Sequence, residues 1–233
     1  MSVSELKKEL DKLADKKQAS LLQGFFKTGP GHYGEGDVFL GIKVPVQRGV
    51  AKKYKNISLE DCEELLSSKI HEHRLVALLI MMLRYDKAGD DEKKKIFSAY
   101  LKNTKNINNW DLVDLSAPSI VGNYLLDKDR SILYKLARSN SLWEKRISML
   151  ATFEFIANKE TKDALAIAEI LLNDEHDLIH KAVGWMLREL GKRVSQEKEE
   201  EFLKKHYKTM PRTMLRYAIE RFDEKKKKEY MKK

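Results

Sequence analysis

The chain has 233 residues, enough for one extended domain or two small ones, and 42% hydrophobic residues can supply a substantial core. Lysine and arginine exceed aspartate and glutamate by nine, so the expected partner is a polyanion. One cysteine, Cys62, excludes an intramolecular disulfide and a CxxC metal framework. The expected setting is therefore a reducing one, cytoplasmic and, in a prokaryote, close to the nucleoid. Without an apolar leader or a run of about 18 apolar residues, neither export nor membrane insertion is expected.

Almost every segment follows a helical period, and only four prolines interrupt it, so the expected class is all-α. The first helix is predicted over 3–19, amphipathic and highly charged. KTGPGHYGEGD at 27–37 follows. It lacks the Gly-Lys-Ser/Thr ending of a phosphate loop and has no flanking strands, so a mobile connector is preferred to a nucleotide cradle, with contact to nucleic acid left open.

Helices are then predicted over 45–55, 58–68, 71–86 and 90–104. Ser58 with Asp61 forms a capping-box-like start. His71 and His73 fall on different faces of their helix and suggest no site. Next comes 110–126, with Asn109 as cap and Pro118 inside it, where the missing backbone donor should bend the helix. The remaining helices are predicted over 128–138, 142–157, 160–172, 176–191, 196–207, 211–222 and 224–231, with Pro211 in the first turn of its helix. Residues 1–222 are read as a single domain and 223–233 as a basic tail, whose charge run by default is solvated.

Trp110, Arg146 and Trp185 stand 36 and 39 residues apart, the length of a helix-pair repeat in HEAT-like solenoids. Side chains recurring at that period line one edge of a stack, predicting a concave groove. Trp110 and Asp114 share a helix face. The competing reading makes Trp110 a core anchor and Asp114 a structural hydrogen-bond partner, while Asp111 suits the helix dipole. Arg146 is placed beside the stripe of Trp143, Ile147, Leu150 and Ala151, either reaching the groove or bridging Glu144 or another acidic residue at the surface.

Lys181, Trp185 and Arg188 form a basic-aromatic face suited to nucleic acid, or else a packed indole with solvated neighbours. Arg212 and Arg216 fall where the repeat predicts further phosphate contacts. His176 and His180 have the spacing of zinc ligands but no third partner, so no metal is expected. No Gly-x-Ser-x-Gly appears, and the acidic neighbours of Cys62 disfavour a thiolate.

GIKVP at 41–45, NNWDLVD at 108–114, LWEKR at 142–146, HKAVGWMLRE at 180–189 and MPRTMLRYAIE at 210–220 together resemble the AlkD-type DNA alkylation repair glycosylases, over about Gly24 to Phe222. The resemblance implies a HEAT-like solenoid holding duplex DNA in its concave groove and excising N3- and N7-alkylated purines as a monomer, without a cofactor or a base-flipping pocket. It assigns Asp114 as the catalytic carboxylate, Trp110 and Trp185 as indoles flanking the lesion's deoxyribose, and Arg146 as the groove arginine. Lys43 stands where some relatives carry glutamine. With Lys181, Arg188, Arg212 and Arg216 it completes the expected DNA contacts. The rival expectation is a non-catalytic HEAT-like module binding damaged or branched DNA.

Overall fold

The computed structural model describes residues 2–232 and is all-α, with fourteen α-helices and no strand among those residues. Val38 and Ile70 form an isolated parallel bridge. The chain divides into two compact units, Met1–Leu112 and Val113–Lys233.

The first unit contains α1 (Val3–Lys12), α2 (Lys16–Phe25), α3 (Val44–Lys53), α4 (Leu59–Leu66), α5 (His71–Tyr85), α6 (Asp90–Lys102) and the start of α7 (Trp110–Ser116). The single helix expected over 3–19 is instead two. Asp15 caps α2 by accepting from the Gln18 amide, and its own amide donates to the Leu40 carbonyl. Gly41 lies beneath this break with φ 87°, where a Cβ would stand 2.1 Å from the Asp15 carbonyl oxygen. Only glycine suits both demands. GIKVP therefore begins with a required glycine.

At α4 the expected cap forms reciprocally, Ser58 accepting from the Asp61 amide and Asp61 from the Ser58 amide. Helix α5 is the unit's axis, packing on α1, α3, α4 and α6. Its run LVALLIM is buried throughout, as a helix apolar on all sides must be.

The second unit continues with a π-helical turn at Ala117–Gly122, then α8 (Ser131–Ala137), α9 (Leu142–Ala157), α10 (Lys162–Ile170), α11 (Asp177–Arg193), α12 (Gln196–His206), α13 (Arg212–Ala218) and α14 (Glu224–Met231). The π turn coincides with Pro118, whose missing amide is absorbed by the wider winding. Helix α9 packs on α11 and α11 on α13, while α8 and α10 pack against each other and against α9, giving two layers. The starts of α9, α11 and α13 at Leu142, Asp177 and Arg212 recur every 35 residues.

Glycines permit the closest approaches in this unit. A Cβ on Gly122 would stand 2.3 Å from the Ala151 carbonyl, and one on Gly184 would stand 2.4 Å from that of Met214. Pro211 is the cap of α13 rather than part of its first turn. Residues 223–232 bury no side chain, in keeping with a solvated charge run, but they are helical and tied to the fold. Asp223 caps α14, Lys226 reaches Glu200, and Tyr230 packs edge-on against Tyr207 and Phe222. No helix among the described residues is long and apolar enough to cross a membrane.

Candidate active site

Helix α7 opens with a fully buried Asn109, whose Oδ1 accepts from the Trp110 amide at 2.8 Å and whose Nδ2 donates to Asp37 at 3.3 Å. The cap expected at Asn109 is thus tied to residue 37 as well as to the helix. The half-buried Trp110 indole stacks on Phe26, with centroids 5.2 Å apart and an interplanar angle of 24°, and meets Phe25 edge-on at 5.9 Å. Its Nε1 donates to the Tyr33 hydroxyl at 3.3 Å.

Phe26 precedes the glycine-rich segment and Tyr33 lies within it, and the segment is not the loose connector anticipated. Gly34 is buried so tightly that a Cβ would stand 2.4 Å from the Phe26 carbonyl, and Asp37 is 5% exposed.

Asp37 belongs to a buried ionic cluster that sequence reading missed. Arg74 Nη2 donates to Asp37 Oδ1 at 2.6 Å, His71 Nδ1 to Asp37 Oδ2 at 3.1 Å and His71 Nε2 to Asp111 Oδ2 at 2.8 Å. Because both imidazole nitrogens face carboxylate oxygens, the cationic ring satisfies both contacts. Burial opposes its charge. The Asp111 carboxylate and the hydrogen bonds to Asp111 and Asp37 outweigh that effect, raising His71 to about 9. For Asp37 burial acts upward, but the His71 hydrogen bond and Arg74 charge hold it below its ordinary value.

Asp111 therefore does more than complement a helix dipole: it fastens α7 to α5. Nearby, Glu72 is fully buried and accepts from the Leu40, Gly41 and Ile42 amides, shaping the approach to α3. Lys43 follows this turn, exposed at the cap of α3.

In the second unit Arg146 grips Asp114. Its Nε donates to Oδ1 at 2.8 Å and its Nη2 to Oδ2 at 2.7 Å, while Nη1 bonds to the Leu178 carbonyl. This corrects the expected position of Arg146 beside the core or at a surface bridge. Arg146 is 4% exposed, buried in α9, with its charge directed at another helix rather than at solvent. Asp114 retains partial access, its side chain 17% exposed. A two-point guanidinium contact fixes the carboxylate plane as well as its place.

Trp185 is half-buried on α11. On the same helix Lys181 pairs with Asp177 at 2.7 Å, and Arg188 pairs with Glu220 and, at 3.6 Å, with Glu189. Their expected face is therefore less positive than residue types alone imply. Arg212 Nη2 donates to the Met231 carbonyl at 2.9 Å, whereas Arg216 is exposed and bonds to Thr213 at 3.4 Å.

His176 and His180 act structurally: His176 Nδ1 accepts from the Leu178 amide, and His180 Nε2 bonds to the Asp174 carbonyl. No group of three or more metal-ligating side chains comes together among the described residues. Cys62 is buried, and burial pushes its thiol up to about 12, away from nucleophilic chemistry.

Residues 6–222 match the model of a family described as DNA alkylation repair enzyme. A solved structure similar in fold is a predicted DNA alkylation repair enzyme from Enterococcus faecalis, at 15% identity and a TM-score of 0.69, covering 91% of this chain and 97% of that one. No curated protein sequence matches the chain significantly. With the all-α fold and the match extending over nearly the whole sequence, the chain belongs to the DNA alkylation repair enzyme family.

Proposed function

We propose that the chain is a monofunctional DNA glycosylase that releases N3- and N7-alkylated purines, of the 3-methyladenine and 7-methylguanine type, from duplex DNA. The observation that carries this reading is the Arg146 grip on Asp114, which orients a carboxylate that remains partly accessible. Catalysis profits from charges fixed before reaction, because they need no reorganisation when the transition state forms.

An N3- or N7-alkylated purine is already cationic. When its C1′–N bond breaks, the bond's electron pair leaves with the base, which becomes neutral, so protonation of the leaving group is unnecessary. The deoxyribose becomes oxocarbenium-like. In this reading Asp114 faces that developing charge, and water adds its oxygen to C1′ while losing a proton to Asp114 or solvent. The products are free base and an abasic sugar, without strand cleavage. At about 4 Å and an effective dielectric near 20, the attraction amounts to about 4 kcal/mol, or roughly 10³ in rate, before the offset from Arg146.

An indole wall beside the sugar, the role the family resemblance gives to Trp110 and Trp185, contributes about 0.5–2 kcal/mol of cation–π attraction per ring. Recognition through sugar and backbone then requires no base-flipping pocket. Residues 1–222 act as one DNA-binding domain in a monomer, and water is the only co-reactant. Lys43 and Arg216 are exposed and suited to phosphate; Lys181 and Arg188 must first exchange a carboxylate partner for it. Arg146 becomes a positioning residue for Asp114 rather than a groove arginine facing DNA.

The test is incubation with a 7-methylguanine-containing duplex and chromatographic measurement of free base. The expected result is release by the native chain and strong loss in Asp114→Asn, with intact strands. Equal release by both proteins overturns the mechanism. Binding without release of any cationic purine overturns the enzyme reading in favour of a binding module.

A further inference from the structure

The end of α12, the start of α13 and the end of α14 enclose a cavity of about 350 Å³ lined by Tyr207, Lys208, Arg212, Tyr230 and Lys232. Its lining comprises three cations and two phenols, with no carboxylate among the described residues. Its size suits a small ligand. The Tyr207 and Tyr230 rings meet edge-on, 5.4 Å apart at 88°, and Phe222 supports Tyr230 from 5.7 Å. Arg212 is held at the cavity by its bond to the Met231 carbonyl, which also fastens the end of α14. Lys208 Nζ lies 6.0 Å from the Tyr207 ring centroid.

Helix α14 contributes no buried residue to the core. Besides the Tyr230 packing, it is held by polar ties: the Asp223 cap, Lys226 on Glu200, and Arg212 on Met231. Tyr230 and Lys232 lie beyond the 6–222 family match.

Lysines supply point charges, and a guanidinium supplies directed donors, to a phosphate. Tyrosine rings offer sequence-tolerant contacts to a planar base. We propose that this cavity binds a single nucleotide unit, its phosphate on Lys208, Arg212 and Lys232 and its base against Tyr207 and Tyr230. The nucleotide comes either free or as part of a single DNA strand, and the site does not depend on the glycosylase reading.

The full chain is titrated with dAMP, deoxyadenosine, inorganic phosphate and a short 5′-phosphorylated single-stranded oligonucleotide, alongside Lys208→Glu/Lys232→Glu. Both replacements fall on exposed positions, and circular dichroism checks the fold. Saturable dAMP binding that exceeds deoxyadenosine and phosphate by at least about tenfold, and falls about tenfold or more in the double variant, supports a free-nucleotide site. Binding of the oligonucleotide alone, with the same loss, supports a strand site. No saturable binding, equal competition by inorganic phosphate, or unchanged affinity in the double variant overturns the proposal.

Discussion

Each unit buries a cation against carboxylates near the start of a helix, but with different acid–base chemistry. In the second unit Arg146 and Asp114 form a two-point contact whose guanidinium remains charged at every working pH. In the first, His71 and Arg74 balance Asp37 and Asp111, and one of the two cations is an imidazole that can lose its proton. The Arg146–Asp114 contact contains no imidazole, whereas the His71 cluster is conditional on pH. A guanidinium thus suits a group that must hold one geometry, while the imidazole makes the attachment of α7 to α5 sensitive to alkali.

The comparison is broken most severely by Arg146→Ala. It leaves Asp114 and the Leu178 carbonyl without their shared donor, with an expected cost of about 3–5 kcal/mol in urea unfolding. A loss below about 1 kcal/mol would show that the pair contributes little to stability. Asp114→Asn keeps the shape but removes the charge, and base release is expected to fall about 10²- to 10³-fold in single-turnover assays.

The His71 cluster predicts a pH effect. Its ordinary value of 6.5 is raised to about 9, so the associated stability is fully present below about pH 6.5, declines as pH rises towards 9 and is absent above. The amplitude is on the order of 3 kcal/mol. Glu199, pushed up by burial to about 8, acts in the same direction from lower pH. The melting scan is therefore best made in a Glu199→Gln background, where adding His71→Gln should flatten it between about pH 6.5 and 9. An unchanged slope would remove His71 from the account. The smallest expected effect is Lys181→Ala, within about 0.5 kcal/mol of native stability because its bridge to Asp177 is exposed.

Much of the helical arrangement is legible locally. The predicted spans 142–157 and 224–231 coincide with α9 and α14, and Ser58 with Asp61 makes the expected reciprocal cap. Caps and apolar period act within a few residues, so a linear reading captures them. The division of 3–19 escaped that reading because Asp15 ends the segment through Leu40 and Gly41, both distant in sequence. The packing of Tyr230 escaped a linear reading for a related reason: one aromatic among lysines, it finds Tyr207 and Phe222.

The sequence by itself determined an all-α chain, the approximate helix boundaries and, through five ordered motifs, the resemblance to DNA alkylation repair enzymes. Tertiary structure decided which charges lose water and which partners compensate them. Arg146 sits beside an apolar stripe on its own helix, yet Asp114 and the Leu178 carbonyl satisfy it inside the protein. His71 has no evident role in KIHEHR until Asp37 and Asp111 arrive from other segments. Propensity and periodicity are properties of neighbouring residues, whereas desolvation and ion pairing depend on groups that only the fold brings together.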